Sequence, residues 1–262
     1  MRIALGIEYD GSNFRGWQSQ DAGQNVRTVQ TVLEAAASRV ADEPIAVVCA
    51  GRTDAGVHAS GQVIHFDTAA VRSERAWVFG INANLPKDVC VLWAKPVGDD
   101  FHARFTAVRR AYRYTILMRP VRPTFLAYRV TWHHRDLSPE PMREAAQYLL
   151  GEHDFSSYRA VGCQARSPVR TLHKLEVTRQ GPFLHLDLEA NAFLHHMVRN
   201  VAGVLMAIGA GERNPQWARE VLEARDRTVG GITAPPHGLY LTRVDYPEIH
   251  GLPQLPPPFL VW

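Results

Sequence analysis

The apolar residues of this chain change their spacing repeatedly, from every second residue to every third or fourth. Ile3, Leu5 and Ile7 alternate with other residues, as in a strand with one buried face. Between Val26 and Val40 the apolar residues recur at helical spacing, which predicts a helix after that strand. Further strands are predicted at 45–50, 62–67 and 89–97, and a short helix near 73–84. The N-terminal half therefore alternates strands with helices.

The second half, from about Thr106, has the same mixture of patterns. Ser138 as a cap and Pro139 in the first turn indicate a helix, and Gln180-Gly181 is the expected turn of a hairpin. Strands are predicted at 109–117, 171–179, 183–189 and 239–246, and helices at 193–208 and after Asn214-Pro215. Hairpins beside alternating elements favour an α+β protein with a largely antiparallel sheet. We expect two similar α/β halves, 1–105 and 106–262, although no clear sequence repeat links them.

Length and composition are those of a globular chain. At 262 residues and 46% hydrophobic content, it is long enough to bury a core. No stretch approaches the roughly 20 uncharged apolar residues of a membrane span, and Glu8 interrupts the apolar start where a signal peptide would continue. The three cysteines are far apart and form no CxxC pair, so neither a disulfide framework nor a cysteine zinc site is indicated. We expect a cytoplasmic protein.

Positive charge is concentrated in two segments, although the net charge is only +3. The sequence between Asp100 and Asp136 has no carboxylate but contains Arg104, Arg109, Arg110, Arg113, Arg119, Arg122, Arg129 and Arg135. A second such segment contains Arg159, Arg166, Arg170 and Lys174. Interleaved aromatic residues are Tyr112, Tyr114, Tyr128 and Trp132. Because guanidinium groups pair with phosphates and rings stack on unpaired bases, this pattern is typical of an RNA-binding surface; a solvated arginine-rich face is the alternative.

The stretch CAGRTDAGVHASGQ, residues 49–62, is the most unusual short segment. Its loop is predicted to run from Gly51 to Gly61, between two strands. Asp54 is a lone carboxylate on this glycine-bracketed loop, where it is well placed to meet a ligand. The nearby Arg52 can keep it ionised or bind a phosphate. An ordinary turn aspartate that hydrogen-bonds its own backbone is the alternative, and composition does not decide between the two.

This loop also carries a resemblance that extends along the chain. GRTDAGVHASGQVIHF closely resembles the signature loop of the tRNA pseudouridine synthase A family. Other segments that resemble this family, in its order, are IEYDGSNFRGWQSQ, TVQTVLE, INANLP, DDFHARFTA, RAYRY, NAFLHHMVRN and GLYL. The resemblance runs from Tyr9 to Tyr246, and only the tail beyond about Pro247 is uninformative. The resemblance implies the pseudouridine synthase fold, with two RRM-like halves.

The resemblance implies an isomerase that converts uridine to pseudouridine at positions 38, 39 and 40, in the anticodon stem-loop of tRNA. Nothing is oxidised or consumed, so no cofactor is expected. Asp54 matches the family's nucleophile, which attacks ribose C1′ or uracil C6, or promotes elimination at the sugar. Arg199 matches the cation expected beside that carboxylate, and Tyr112 matches the tyrosine that lies against the target base.

Other residues are expected to bind the RNA. A paired base must be flipped out before it is isomerised, and Arg52 matches the family residue that fills the gap. Leu239 is expected to wall the uracil pocket, while Tyr114 is either a second stacking platform or a core residue. Charge alone selects the phosphate contacts Arg109, Arg110, Arg113, Arg166 and Arg170. The family is dimeric, so we expect a homodimer that binds tRNA across two subunits.

Two other classes of function stay open at this point. A non-catalytic RNA-binding protein would bind RNA without needing Asp54 and would release no product. A carboxylate-dependent hydrolase would require a second carboxylate, and none accompanies Asp54 in its loop. No metal is expected, because neighbours such as His195 and His196 point about 100° apart on a helix. No GxGxxG or GxxxxGK[ST] motif indicates a nucleotide cofactor.

Overall fold

The computed structural model describes residues 1–18 and 26–253. These residues form β1 (Arg2–Tyr9), α1 (Val29–Ala41), β2 (Val48–Cys49), β3 (His58–Asp67), α2 (Glu74–Asn84), β4 (Val89–Val97), β5 (Arg109–Met118), β6 (Thr131–His133), α3 (Pro139–Gln147), β7 (Gly151–Asp154), β8 (Val169–Gln180), β9 (Phe183–Ala190), α4 (Met197–Gly209), α5 (Trp217–Ala224) and β10 (Leu239–Asp245). None of these helices is both long and apolar enough to cross a membrane. The expected α+β class is confirmed, since helices accompany strands that pair mostly in antiparallel fashion.

The chain divides into two compact units. The first unit consists of Met1–Val108 and the segment that begins at Tyr240, and the second unit is Arg109–Leu239. The expected boundary near residue 105 assigned the last strand to the second half. In the structure β10 belongs with the first unit, because it pairs in parallel with β3, with Tyr240 opposite His58. Sequence order alone does not reveal such a return.

The first unit follows the β-α-β-β-α-β order from β1 to β4. Its sheet has the order β4-β1-β3, and β2 pairs with the other edge of β3. These four strands pair in antiparallel fashion, which is the split β-α-β arrangement of RRM-like domains. Ile3, Leu5 and Ile7 of β1 are fully buried, and Trp77 of α2 packs its ring edge against Phe66 of β3 at 5.3 Å.

The second unit repeats the core of that arrangement. Its strands have the order β5-β9-β8-β7, and β6 runs parallel to β5. Apart from the additional short strands β6 and β7, the elements β5, α3, β8, β9 and α4 have the order β-α-β-β-α, and β9 lies between β5 and β8. The hairpin between β8 and β9 turns at Gly181, whose φ of +57° suits glycine. The two units therefore share a topology that the sequence does not show as a repeat.

Several predicted elements differ from the structure at their ends, and the differences are largest at β2, β3 and α4. β2 covers only Val48–Cys49 instead of 45–50, and β3 begins at His58 rather than at Gln62. The loop is shorter than predicted because Gly61 lies inside β3, where a Cβ would meet the carbonyl oxygen of Thr242. The helix predicted from Phe193 begins at Met197, since His196 has the left-handed φ of +61°. The proline-rich sequence PQLPPPFLVW at the end of the chain predicts a tail without regular structure unless another segment packs it, and this tail lies outside the described residues from Gln254 onward.

A close backbone approach fixes α4, and substitution of one glycine tests it. A Cβ on Gly203 would lie 1.9 Å from the carbonyl oxygen of Ile232. Gly203→Ala is therefore expected to lower the free energy of unfolding by about 1–3 kcal/mol. Gly80→Ala in α2 is the matched control, because its Cβ would meet only methyl groups of Val40, at 3.1 Å or more. Urea denaturation compares the two variants, and equal effects would contradict the prediction.

His65 in β3 makes stability depend on pH. Burial is the main cause that lowers the pKa of its ring to about 4, and the charges of His102 and Arg2 add to it. Asp67 acts in the opposite direction. Nδ1 of His65 accepts the backbone N–H of Ala103 at 3.1 Å, which favours the neutral ring. In the unfolded chain His65 has its ordinary pKa of 6.5. As the pH falls, the unfolded chain therefore binds the proton before the folded protein does.

His65 should therefore contribute stability that is fully present above about pH 6.5 and is lost as the pH falls towards 4. His65→Asn keeps a hydrogen-bond acceptor near Nδ1 but does not titrate. We expect the free energy of unfolding of this variant to depend less steeply on pH in that window. Urea titrations at half-unit steps of pH measure the slope, and an unchanged slope would show that other groups cause it.

Candidate active site

The loop that carries Asp54 spans residues 50–57, between β2 and β3. Its first part is held by Gln62, a fully buried side chain of β3. The side-chain amide of Gln62 donates to the carbonyl oxygen of Gly51 at 2.6 Å and accepts the N–H of Gly51 at 3.3 Å. The N–H of Ala50 donates to the carbonyl oxygen of Val63 at 2.9 Å. The backbone leading to Asp54 is therefore fixed to the neighbouring strand.

Thr53, directly before Asp54, is held through both its side chain and its backbone. Its buried hydroxyl hydrogen-bonds the hydroxyl of Tyr9 at 2.8 Å, and its carbonyl oxygen accepts the N–H of Trp17 at 3.0 Å. Gly16 packs so closely that a Cβ there would lie 2.9 Å from the same carbonyl oxygen. Its φ of +94° is also a conformation that favours glycine. The segment after β1 therefore braces the loop.

The far end of the loop is fixed by His58, the first residue of β3. Its buried ring stacks on Tyr240 of β10, with centroids 4.6 Å apart and planes 19° apart. Nδ1 of His58 lies 3.0 Å from the N–H of Gly11 and 3.2 Å from a carboxylate oxygen of Asp10. The hydrogen bond with His58 is the largest cause that lowers the pKa of Asp10. A Cβ on Gly11 would collide with the carbonyl oxygen of Val57, so this segment also lies against the loop.

Asp54 itself is half-buried, and Arg52 is exposed. The carbonyl oxygen of Asp54 accepts the N–H of Val57 at 3.1 Å, which closes a tight turn that includes Gly56 at φ +77°. A half-buried carboxylate on a braced turn has a fixed backbone position and stays partly accessible to a ligand. Such a group can serve as a nucleophile or as a base.

Tyr112 and Tyr114 lie on β5 in the second unit and differ in their surroundings. Tyr112 is 9% exposed, and its ring meets Phe193 edge to face at 4.9 Å. Tyr114 is fully buried; its hydroxyl hydrogen-bonds the hydroxyl of Thr131 at 2.5 Å and donates to the carbonyl oxygen of Pro235 at 2.8 Å. Burial raises the pKa of Tyr114 strongly. Of the two roles open for Tyr114, the structure supports that of a core residue.

Arg199 lies in the first turn of α4 and is half-buried. Its Nε donates to the carbonyl oxygen of Ala234 at 2.8 Å, and the N–H of Ala234 donates back to the carbonyl oxygen of Arg199 at 3.1 Å. The next residue, Asn200, is buried and donates to the carbonyl oxygen of Tyr158 at 2.8 Å. Thr233 donates its hydroxyl to Asn200 at 2.7 Å. This network ties the segment before β10 to α4 and fixes the arginine.

The arginines selected by charge divide into three kinds. Arg109 and Arg166 are exposed. Arg110 is buried and donates to the carbonyl oxygen of Asn191 at 2.9 Å. Arg113 forms a two-bond pair with Asp187 of β9, at 2.7 and 2.9 Å. A carboxylate-free segment therefore still finds a carboxylate on the neighbouring strand.

Arg170 is the remaining member of that set. It is half-buried and donates to the carbonyl oxygens of Ser167 and Val169 at 3.0 and 2.6 Å. Burial is the main cause that lowers its pKa, and the positive charge of Arg110 adds to that effect, whereas Cys163 opposes it. The structure thus brings Arg110 and Arg170 close enough for their charges to interact.

Leu239 and the paired histidines complete the predicted set. Leu239 is 5% exposed and follows a tight turn, where a Cβ on Gly238 would lie 2.4 Å from the carbonyl oxygen of Thr115. His195 and His196 precede α4 rather than lying on it, and their ring centroids are 4.1 Å apart. The helical geometry assumed for this pair is therefore wrong, because the chain reaches the helix only at Met197.

Sequence reasoning missed the residues that hold the site. Gln62, Tyr9 and Trp17 fix the Asp54 loop, while Asn200 and Thr233 fix the start of α4. Tyr9, Gly11, Gly16 and Trp17 all lie in the segment IEYDGSNFRGWQSQ, so the clustering of glycines and aromatics there was an available signal. Gln62 is a polar residue within an apolar strand, which also indicates a specific partner.

Comparison with known proteins decides the family. The sequence model of the family described as "tRNA pseudouridine synthase" matches residues 6–106 and 145–247. The chain belongs to the tRNA pseudouridine synthase family. It is 63% identical to the tRNA pseudouridine synthase A of Nitrosococcus oceani, over 100% of both chains. It is 61% identical to that of Pseudomonas aeruginosa, over 99% of this chain and 91% of the relative.

A solved structure described as "Crystal Structure of a Cbf5-Nop10-Gar1 Complex" aligns with 91% of this chain and 57% of its own length. Its identity is 11% and its TM-score is 0.33, which is too low to support an inference. Membership of the tRNA pseudouridine synthase family makes the chain an isomerase whose substrate is tRNA. Neither the non-catalytic nor the hydrolase alternative is retained.

The brace on Thr53 can be tested without touching Asp54. Tyr9→Phe removes the hydroxyl that bonds Thr53, and we expect kcat to fall several-fold while tRNA affinity stays unchanged. Tyr246→Phe is the matched control, because it removes a hydrogen bond to the carbonyl oxygen of Ala103, away from the loop. Each variant should lose about 1 kcal/mol of stability. Equal kcat values for the two variants would show that the brace does not position the loop.

Proposed function

We propose that this enzyme forms pseudouridine at positions 38, 39 and 40 in the anticodon stem-loop of tRNA, with Asp54 as the nucleophile. The observation that carries the proposal is the bracing of the Asp54 loop from three directions, by Gln62, Tyr9 and His58. A structure that fixes the backbone on both sides of one half-buried carboxylate is suited to present that carboxylate to a substrate. The high identity to synthase A relatives supports the same assignment.

The reaction breaks the bond between ribose C1′ and N1 of uracil and forms a bond between C1′ and C5. The proton on C5 is then released to solvent and N1 takes up a proton, so that the product is an isomer of the substrate. In our proposal the carboxylate of Asp54 opens this sequence, by attack on C1′ or C6 or by promoting elimination at the sugar. Tyr112 lies against the base, and its ring is held in place by the edge contact with Phe193. Leu239, a buried apolar side chain, is the proposed wall of the uracil pocket.

A carboxylate beside a bound base loses solvation, so a fixed cation should accompany it. We assign that role to Arg199. Its Nε is engaged with a backbone carbonyl, and the helix that carries it is largely buried, both of which restrict the side chain. An arginine held in this way neutralises a carboxylate with little further loss of conformational entropy.

Arg52 and the arginines of the second unit are assigned to the RNA itself. Arg52 is exposed two residues before Asp54, which suits the proposed filling of the gap that a flipped base leaves. Arg110 and Arg170 repel one another, and a bound phosphate would relieve that repulsion. Arg109 and Arg166 are exposed and need no rearrangement for a phosphate contact. Arg113 is the weakest candidate, because a phosphate would compete with Asp187.

The proposal also includes the location, the oligomeric state and the cofactor requirement of the enzyme. We infer a cytoplasmic homodimer that needs no cofactor and holds one tRNA across two subunits. The proposal draws on the basic segments of the sequence and on the family resemblance. A tRNA bound across two subunits would explain how a chain of 262 residues contacts both the elbow and the anticodon arm.

Tritium release from tRNA labelled at uracil C5 tests the role of Asp54. Asp54→Asn should reduce release by more than about 1,000-fold, because the nucleophile is lost. Its affinity for unmodified tRNA should stay within about threefold, since the phosphate contacts are intact. Asp42→Asn is the matched control: this exposed residue has φ +60°, a conformation that asparagine also tolerates. Comparable loss of binding and activity in Asp54→Asn would contradict the proposal.

A further inference from the structure

The loop that joins β5 to β6, residues 119–130, is firmly closed at its base. The N–H of Arg119 donates to the carbonyl oxygen of His133 at 3.1 Å, which continues the parallel pairing of β5 with β6. Pro123 and Val130 are buried within the second unit. The β5–β6 loop is therefore anchored at both its middle and its end.

Hydrogen bonds within the β5–β6 loop also hold its shape. The guanidinium of Arg119 donates to the carbonyl oxygens of Val121 and Arg122 at 2.7 and 2.9 Å. The indole N–H of Trp132 donates to the carbonyl oxygen of Arg119 at 2.8 Å. Two successive turns follow between residues 124 and 129. The loop has a built conformation, so the outward direction of its side chains is part of the fold.

The side chains that this loop directs outward are large and apolar or aromatic. Phe125 is 93% exposed, Val121 70% and Tyr128 62%. Arg122 and Arg129 are exposed beside them. Exposed apolar groups of this size on an anchored loop are a mark of a binding surface. The aromatic residues buried in β5, Tyr112 and Tyr114, cannot contribute to it.

The charge of the surrounding segment indicates what kind of partner the β5–β6 loop binds. Residues 101–135 contain no carboxylate, and the first acidic residue after them, Asp136, is held by Arg179 through bonds of 2.8 and 3.0 Å. A second copy of the chain packed on this loop about a two-fold axis would bring two arginine-rich segments together. A polyanion with unpaired bases complements both features, since its phosphates meet the arginines and its bases stack on the rings.

We propose that the β5–β6 loop binds an unpaired stretch of the tRNA substrate. Phe125 and Tyr128 stack on bases of that stretch, and Arg122 and Arg129 contact the adjacent phosphates. The inference rests on tRNA being the substrate, which family membership establishes, and it does not depend on the role of Asp54. Loss of this contact weakens tRNA binding, whereas failure of the Asp54 assignment would appear in turnover.

Phe125→Ala is the first test, with binding of an unmodified tRNA transcript as the readout. Its affinity should fall roughly five- to 100-fold, the range found when one stacked base loses its aromatic partner. Phe79→Ala is the matched control, because Phe79 is 58% exposed in α2 and carries the guanidinium of Arg75 at 4.4 Å over its ring. The control should bind tRNA as the unchanged protein does. Tyr128→Asn, which keeps the left-handed φ of +64°, should weaken binding in the same way as Phe125→Ala.

A fully paired RNA duplex separates stacking from charge. Phe125→Ala should bind the duplex as the unchanged protein does, because stacked bases are not available to its ring. Arg122→Gln should weaken binding to both RNAs and reduce the salt dependence of the affinity by about one phosphate contact. The proposal is overturned if Phe125→Ala binds tRNA within twofold of the Phe79→Ala control. Sedimentation that shows Phe125→Ala dissociating into single chains would overturn it in favour of a second copy.

Discussion

The hydrogen bond between Tyr9 and Thr53 joins two segments on which the geometry of the Asp54 loop depends. A short loop with glycines at 51 and 56 has many accessible conformations, and its ordering costs conformational entropy. That cost is offset by polar contacts of the residues that precede Asp54. Gln62 holds the loop's first residues, and Thr53 is held twice, by Tyr9 and by the backbone of Trp17. These contacts fix the backbone that carries the Asp54 carboxylate.

The same contacts explain why glycine occupies certain positions around the loop. At Gly11 and Gly16 the chain after β1 passes so close to the loop that a Cβ would meet a backbone carbonyl. At Gly61 the neighbour is Thr242 of β10, whose strand also brings Tyr240 onto His58. The first unit therefore needs its last strand, which comes from the far end of the sequence, to complete the support of the loop.

The regular elements could be predicted from the sequence because their signals are local. β4 matches its predicted bounds, β1 contains the alternating Ile3, Leu5 and Ile7, and the hairpin at Gly181 was expected from its turn residues. The start of β3 was missed because it depends on β10, a partner that no local pattern reveals. Arg113 illustrates the same limit, because its partner Asp187 is distant in the sequence and lies beside it only where β5 pairs with β9. The site residues themselves came from resemblance, and the residues that brace them came from the structure.

The arginine-rich segment shows how one composition serves two physical purposes. In β5 the alternation of a strand turns Tyr112 and Tyr114 towards the core and leaves Arg113 to pair across the sheet. Beyond Met118 the strand ends, and the same residue types pass into an anchored loop whose aromatic side chains face outward. Both β5 and the loop after it are rich in arginine and aromatic residues, so composition does not distinguish them. The change from strand to loop therefore separates side chains that pack or pair within the second unit from those that face solvent.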